Sequence, residues 1–128
     1  MNTSKAAAIQ LKLKKAKNIL AETDVLMKNQ FYSNVINRLY YSCFHATKAL
    51  LLTKDLIPKT HKGVIAMLHE NFVRPGLFDP QHASFFSELM QKRIKEDYDD
   101  EILINETDVI DFIEPAKRYI TYIEKLIM

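Results

Sequence analysis

The stretch NRLYYSCFHATKALLL, residues 37–52, decides the fold because it lies in the segment richest in apolar and aromatic side chains. Its apolar residues recur at the spacing of an α helix, which predicts a helix over about residues 31–53. The side expected to face a core carries Val35, Leu39, Cys43, Leu50 and Leu51. The break LIPK at residues 56–59 ends this helix.

Outward from this stretch, the same periodicity predicts four more helices. They cover about residues 4–28, residues 60–73, a segment that starts near residue 80, and residues 105–127. Only two glycines and four prolines are available for turns, so the connections are short. Because short connections favour antiparallel neighbours, we expect an all-α, up-and-down antiparallel helical bundle of about five helices. Residues 1–128 then form a single domain.

The ends of the predicted helices carry capping signals. The predicted N-caps are Thr60 for the third helix, Asp79 followed by Pro80 for the fourth, and Asn105 or Thr107 for the fifth. Pro115 falls inside the fifth helix, although the apolar spacing continues through it. Because proline removes one helical hydrogen bond, we expect a kink near residues 110–114 and not two separate helices. Residues 96–106 are expected to be a mobile acidic loop.

Composition excludes several classes of protein. The single cysteine, Cys43, rules out an internal disulfide framework and indicates a reducing compartment. No stretch approaches the roughly 20 apolar residues of a membrane span, and the N-terminus lacks the apolar segment of a signal peptide. We therefore expect a cytoplasmic protein with no membrane partner. No Gly-rich phosphate loop is present, so hydrolysis of a nucleoside triphosphate has no support.

The charges are unevenly distributed, although the net charge is only +2. Residues 5–17 carry five lysines and no acid, whereas residues 96–114 carry nine acids and no base. These segments are either a solvated helix face and an acidic edge, or a basic surface for a polyanion and an acidic surface for a basic partner. The net charge is too small to indicate nucleic-acid binding by itself.

A polar stripe runs along the otherwise apolar second helix. Arg38 and His45 are separated by about 700° of helical rotation, nearly two full turns, so they share one face about 10 Å apart. Asn34, Tyr41 and Lys48 lie on the same stripe. A guanidinium binds phosphate oxygens and an imidazole exchanges protons near neutral pH, so the pair suits binding and reaction of a phosphate group. The alternative is an exposed pair, or a core pair with satisfied hydrogen bonds.

Two further groups of residues are candidates for a functional site. Arg93 and Asp97 are four residues apart, so they form either a structural ion pair, or Arg93 joins Arg38 and His45 in one cleft. His61 and His69 roughly share a face of the third helix, but no Cys or carboxylate cluster accompanies them. We therefore expect no metal site and no cofactor.

The segment NRLYYSCFHATKALLL, followed by KTHKGV at residues 59–64 and RIKEDYD at residues 93–99, resembles the prokaryotic HEPN domain family. The similarity extends from about residue 16 to residue 127. The resemblance implies a five-helix bundle and a homodimer in which the second helix meets its symmetry mate. Many HEPN proteins are metal-independent ribonucleases with an Arg, four to six residues, and then a His. Arg38 and His45 match this pattern, with six residues between them.

Two positions depart from the pattern of the family. Leu39 follows the Arg, where toxin members often have a polar residue. Thr47 stands two places after the His, where members silenced by a paired nucleotidyltransferase have a Tyr that receives AMP. These departures favour a module without catalytic activity.

Two hypotheses follow from the resemblance. The first is a metal-independent RNA endonuclease, the toxin component of a nucleotidyltransferase/HEPN toxin–antitoxin pair, with RNA as substrate and a small nucleotidyltransferase as antitoxin. The alternative is a non-catalytic HEPN module that binds a nucleotide or a partner nucleotidyltransferase. In the first hypothesis Arg38 and His45 are catalytic, and the residues predicted to bind substrate are Tyr41, Asn34, Lys48 and Arg93.

Overall fold

Five α helices form the chain in a computed structural model that describes residues 3–98 and 103–128. They are α1 (Thr3–Lys28), α2 (Val35–Leu52), α3 (His61–Leu68), α4 (Pro80–Tyr98) and α5 (Glu106–Ile127). A 3₁₀ turn, Tyr32–Asn34, precedes α2, and a π-helical turn, His69–Val73, extends α3. The predicted all-α class with five helices is confirmed, and the described parts of the chain contain no strand. None of the described helices is both long and apolar enough to span a membrane.

Helix α2 is the centre of the bundle, because it packs against each of the other four helices. The positions predicted to face the core are confirmed, since their side chains are at most 3 % exposed; they are Val35, Leu39, Cys43, Leu50 and Leu51. Burial on several sides leaves α2 only a narrow strip of accessible surface. Charged side chains on this helix are therefore expected on that strip, because burial of an unpaired charge is costly.

Local capping chemistry sets the starts of the last three helices. The Thr60 hydroxyl accepts a hydrogen bond from the Gly63 N–H (2.9 Å), and the Asp79 carboxylate accepts one from the Gln81 N–H (2.9 Å). Asn105 caps α5 in a reciprocal capping box with Asp108. Of the two alternatives for the last cap, Asn105 is therefore confirmed, and Thr107 lies inside the helix.

The predicted acidic loop begins too early in the sequence. Helix α4 continues through Glu96 and Asp97 to Tyr98, so these residues are helical. Each carboxylate lies near a cation one turn earlier: Lys92–Glu96 at 3.4 Å and Arg93–Asp97 at 3.0 Å. These pairs offset the repulsion between like charges on which the prediction rested. Residues 99–102 of the predicted loop lie outside the described residues.

Helix α5 passes through Pro115 as one continuous helix, which confirms that the proline does not divide it. A buried pair of hydroxyls joins α5 to α2. The Thr47 hydroxyl donates to the Cys43 carbonyl (2.8 Å) and lies 2.6 Å from the Tyr119 hydroxyl. Both side chains are fully buried. Because the Thr47 proton is used, Tyr119 donates to Thr47, and each buried hydroxyl has a partner.

We predict that Thr47→Val lowers the free energy of unfolding by about 1–3 kcal/mol, because it leaves the buried Tyr119 hydroxyl without a partner. Urea denaturation measures this change. Tyr119→Phe alone should cost less, since Thr47 keeps its bond to the Cys43 carbonyl. The double variant should recover most of the loss, and a double variant as unstable as the sum of the single variants would contradict the assignment.

Candidate functional site

The accessible strip of α2 carries four of the predicted site residues on one face. Arg38, Tyr41, His45 and Lys48 are all partly exposed, whereas the residues between them are largely buried. Side chains from three neighbouring helices join this strip. We call the whole group the α2 cluster: Arg38, Tyr41, His45 and Lys48 with Lys12 and Lys15 of α1, His61 of α3 and Arg93 of α4.

The Tyr41 ring lies in the middle of the α2 cluster. The guanidinium carbon of Arg38 is 5.7 Å from its centre, and that of Arg93 is 5.6 Å away. The His45 ring centre is 6.4 Å from the Tyr41 ring centre. An aromatic face attracts guanidinium groups, so Tyr41 stabilises two like charges around one ring. The strip therefore combines fixed positive charge with an imidazole.

Arg93 forms the ion pair expected from the sequence and also contacts α2, while its role beside Arg38 and His45 stays a prediction. Its NH1 group donates to the Asp97 carboxylate at 3.0 Å, which is the expected ion pair within α4. Its guanidinium carbon also lies 4.8 Å from the centre of the Tyr40 ring, in addition to its contact with Tyr41. The ion pair thus orients Arg93 towards α2 and does not remove it from the cluster.

Arg38 is held in place from two sides. Its Nε and NH2 groups donate to the Asn37 side-chain oxygen at 3.2 and 3.0 Å, and NH1 lies 3.4 Å from the Glu22 carboxylate of α1. Asn34 is exposed in the 3₁₀ turn before α2. It lines a shallow groove of about 570 Å³ with Arg38 and the α1 residue Val25. Asn34 therefore neighbours Arg38, at the edge of the cluster.

His45 is half-buried and surrounded by cations. Burial, and then the positive charges of Lys15, Lys48, Lys12 and Arg38, lower its pKa to about 4. Both effects disfavour the imidazolium form. At neutral pH the ring is therefore uncharged and can accept a proton.

Two lysines of α1 lie close to the accessible strip of α2. Lys12 and Lys15 lie near Lys48, and together with burial they lower the pKa of Lys48. Across residues 3–98 and 103–128, none of these three ammonium groups forms an ion pair with a carboxylate. Part of the basic N-terminal segment therefore places positive charge beside His45, and binding of a polyanion there stays a prediction.

Sequence reasoning did not place His61 in the site. Its Nδ1 lies 2.6 Å from the Tyr40 hydroxyl, and its ring stacks on Phe44 at 4.5 Å and meets Tyr41 at 5.9 Å. His69, the residue paired with it in the sequence analysis, is exposed at the start of the π-helical turn. The KTH motif at residues 59–61 was the sequence feature that could have pointed to His61. Its position beside α2, however, depends on the geometry of the α2–α3 connection.

The thiol of Cys43 takes no part in the α2 cluster. Its side chain is fully buried, and burial raises the pKa of the thiol. Within the described ranges, no group of three or more His, Cys, Asp or Glu side chains could hold a metal ion. The chemistry that this site can perform on its own is proton transfer and binding of negative charge.

The profile of the HEPN domain matches residues 9–126 of the chain. The chain belongs to the HEPN family. A UPF0332 protein of Thermotoga maritima is 32 % identical over 114 residues, which are 89 % of this chain and 86 % of that protein. Two proteins of Methanocaldococcus jannaschii are also similar. "Putative toxin MJ0142" is 34 % identical over 96 residues, 75 % of this chain and 65 % of that protein.

The second archaeal relative, "Putative toxin MJ0605", is 38 % identical over 90 residues, 70 % of this chain and 67 % of that protein. The chain thus spans about two-thirds of the length of each of these two relatives. Within this HEPN fold, Arg38 and His45 lie on the one accessible strip of α2. Thr47, two places after His45, is fully buried and bonded to Tyr119.

We predict that the pKa of His45 is about 4 and that Lys12→Gln/Lys15→Gln raises it, because two charges that disfavour the imidazolium are removed. Histidine-selective NMR over a pH series measures both values. Since the folded pKa lies below the usual 6.5, the unfolded chain takes up this proton at a higher pH than the folded chain does. The contribution of His45 to the free energy of unfolding is therefore fully present above pH 6.5 and is lost as the pH falls towards 4. Lys125→Gln, on α5, is the control. An unchanged titration in the double variant would show that α1 does not act on His45.

Proposed function

We propose that this HEPN protein is a metal-independent RNA endonuclease that acts as the toxin of a two-component pair. The observation that supports it best is the uncharged imidazole of His45 beside the Tyr41 ring. The guanidinium groups of Arg38 and Arg93 contact the same ring, and the three lysines of the cluster act on the imidazole. RNA supplies both the negative charge that such a surface binds and, in its ribose 2′-hydroxyl, its own nucleophile.

The reaction follows from the groups in the cluster. The 2′-oxygen attacks the adjacent phosphorus, and His45 takes the proton that it loses. Negative charge develops on the phosphorane, and Arg38 and Arg93 stabilise it. The bond to the 5′-oxygen then breaks, and this oxygen takes up a proton. The products are a 2′,3′-cyclic phosphate and a 5′-hydroxyl. Tyr41, between the two guanidinium groups, positions the phosphate or stacks on a base.

We also propose that the protein acts as a homodimer through α2. Two large apolar side chains of α1 are exposed in the grooves beside Arg38: Leu11 is 68 % and Val25 is 61 % exposed. A symmetry mate that covers them would bring a second Arg38–His45 pair to the same face. The two pairs would then line one cleft in which an RNA strand lies.

A toxin needs a partner that silences it, and we propose a small nucleotidyltransferase in this role. The toxin names of the two archaeal relatives support such a pairing. AMP transfer to the residue two places after His45 is not available, because the Thr47 hydroxyl is buried. The antitoxin would instead act on an accessible group of the cluster or cover the cluster with an acidic surface.

A second candidate function is a non-catalytic module that binds a nucleotide or the partner through the same surface. The contacts of Arg38 with Asn37 and Glu22 favour it, because in the free chain they occupy part of the guanidinium. The residue Leu39, fully buried in the core, also offers no polar group beside Arg38. RNA cleavage separates this candidate from the first.

We predict that His45→Ala lowers the rate of RNA cleavage by roughly 10²- to 10⁴-fold, the usual cost of losing a general base. Arg38→Lys should also lose most RNA cleavage, because an ammonium group cannot form the bidentate contact that a guanidinium makes with phosphate. The assay incubates wild type and both variants with total RNA, with and without EDTA, and identifies the 2′,3′-cyclic end by mass spectrometry. EDTA should leave cleavage unchanged.

Circular dichroism controls for the fold of each variant, and His69→Ala is a matched control with an exposed histidine outside the cluster. Equal cleavage by wild type and folded His45→Ala would overturn the catalytic role of His45. Binding of RNA or nucleotide without cleavage by any variant would favour the non-catalytic module.

We predict that the protein sediments as a dimer at micromolar concentration and that Val25→Glu weakens association by placing a charge on the face that the proposed dimer buries. Analytical ultracentrifugation over a concentration series measures the change. Ile57→Glu is the matched control, because Ile57 is also exposed (71 %) but lies in the α2–α3 connection. A wild-type monomer throughout, or equal effects of the two substitutions, would argue against an interface through this face.

A further inference from the structure

The imidazole of His61 is fixed on the α2 cluster by the hydroxyl of a core tyrosine. Tyr40 is fully buried, and its hydroxyl lies 2.6 Å from His61 Nδ1. Burial raises the pKa of this hydroxyl, so it keeps its proton. A buried O–H needs an acceptor, and Nδ1 is its acceptor among the described residues. Nδ1 therefore carries no hydrogen in the uncharged ring, and the proton of His61 is on Nε2.

His61 and His45 lie on the same aromatic surface of α2. Both rings contact Phe44, with centre-to-centre distances of 4.5 Å for His61 and 5.6 Å for His45. Both also contact Tyr41, at 5.9 and 6.4 Å. Two imidazoles of one chain therefore contact the same phenol ring.

Cleavage of RNA needs two proton transfers, and the function proposed above assigns only the first to a residue. We propose that His61 is the general acid of the same reaction, which donates the Nε2 proton to the departing 5′-oxygen. His61 enters this step as the imidazolium, in which Nδ1–H donates to the Tyr40 oxygen and Nε2–H faces the substrate. His45 takes the proton of the 2′-hydroxyl, the P–O2′ bond forms, the P–O5′ bond breaks, the 5′-oxygen takes the Nε2 proton, and His61 becomes neutral. Exchange with solvent then returns the ring to the tautomer of the free protein. Each protomer then holds a complete acid–base pair, and the symmetry mate is not needed for the second imidazole. This inference rests on the proposed function.

The charges around His61 explain how it becomes an acid once RNA is bound. Burial, and then Arg93 of α4 and Lys48 of α2, lower its pKa in the free protein. The other titratable side chains that contact it from α2 are Tyr40 and Tyr41. The hydrogen bond that the Tyr40 hydroxyl donates to Nδ1 also favours the uncharged ring in the free protein. A phosphate on the cluster neutralises Arg93 and Lys48, so the imidazolium form becomes more favourable. Substrate thus promotes the protonation that the second half of the reaction uses.

A leaving-group experiment separates a general acid from a residue that only supports the fold. His61→Asn places an amide oxygen near the position of Nδ1, so it can still accept from Tyr40, but it cannot transfer a proton. The two substrates are one oligoribonucleotide that wild type cleaves and the same oligonucleotide with sulfur in place of the 5′-oxygen at the cleavage site. A thiolate departs without a proton, so only the oxygen substrate needs the acid.

We expect His61→Asn to cleave the oxygen substrate roughly 10²- to 10⁴-fold more slowly than wild type and the sulfur substrate within a few-fold of it. His45→Ala should be slow on both substrates, because the base acts in either case. The pH profile of kcat/KM should lose its high-pH decline in His61→Asn and keep its low-pH limb. His69→Asn is the matched control and should behave as wild type.

Equal losses on the two substrates, or no loss on the oxygen substrate, would overturn the role of His61 while leaving the ribonuclease intact. Cleavage of neither substrate, nor of total RNA, by wild type would instead reject the proposed function, and this inference with it. If His61→Asn does not fold, Tyr40→Phe replaces it. That variant removes the hydroxyl that holds His61 at Nδ1, and we expect a smaller loss that is again confined to the oxygen substrate.

Discussion

The packing of α2 against four other helices is the constraint on which the rest of the structure depends. A helix buried on several sides can keep only a narrow strip of its surface for polar groups. The strip carries Arg38, Tyr41, His45 and Lys48, all of them partly exposed. The same packing directs the neighbours, since helices that touch α2 also bring their own side chains to the edge of the strip.

The α2 cluster concentrates positive charge at a cost to the free protein. Lys12, Lys15 and Lys48 repel one another, and their combined field acts on His45. The aromatic ring of Tyr41 offsets part of the repulsion by contacting both guanidinium groups. Functional sites often keep such unfavourable arrangements because they are relieved by the ligand. An anionic ligand would relieve this one, which is the physical basis of the function that we propose.

Much of the fold could be predicted from sequence because it depends on local patterns. Helical periodicity identified the core face of α2, and the chemistry of Thr60, Asp79 and Asn105 identified three helix starts. The end of α4 could not be placed, because cation–carboxylate pairs within the helix outweighed the repulsion between its acids. The shared stripe of Arg38 and His45 followed from their spacing, and its catalytic role stays a prediction.

The parts of the site that escaped prediction depend on tertiary geometry. His61 reaches the α2 cluster only because a tight turn follows α2, with the Leu56 N–H bonded to the Leu51 carbonyl (3.1 Å) and Asp55 in the left-handed region (φ 60°). No spacing rule within one helix contains this information. The contact of Arg93 with two tyrosines has the same origin, since it depends on how α4 crosses α2.

The burial of Cys43 gives this protein an internal reporter of its own opening. It is the only thiol in the chain, it is fully buried, and its raised pKa makes it unreactive while the core is closed. A thiol reagent can therefore modify the protein only during excursions that separate α2 from its neighbours. Since α2 also carries the cluster, a molecule that binds there slows those excursions in proportion to its occupancy. The rate of thiol modification thus measures ligand binding without a label, a cofactor or any knowledge of the reaction.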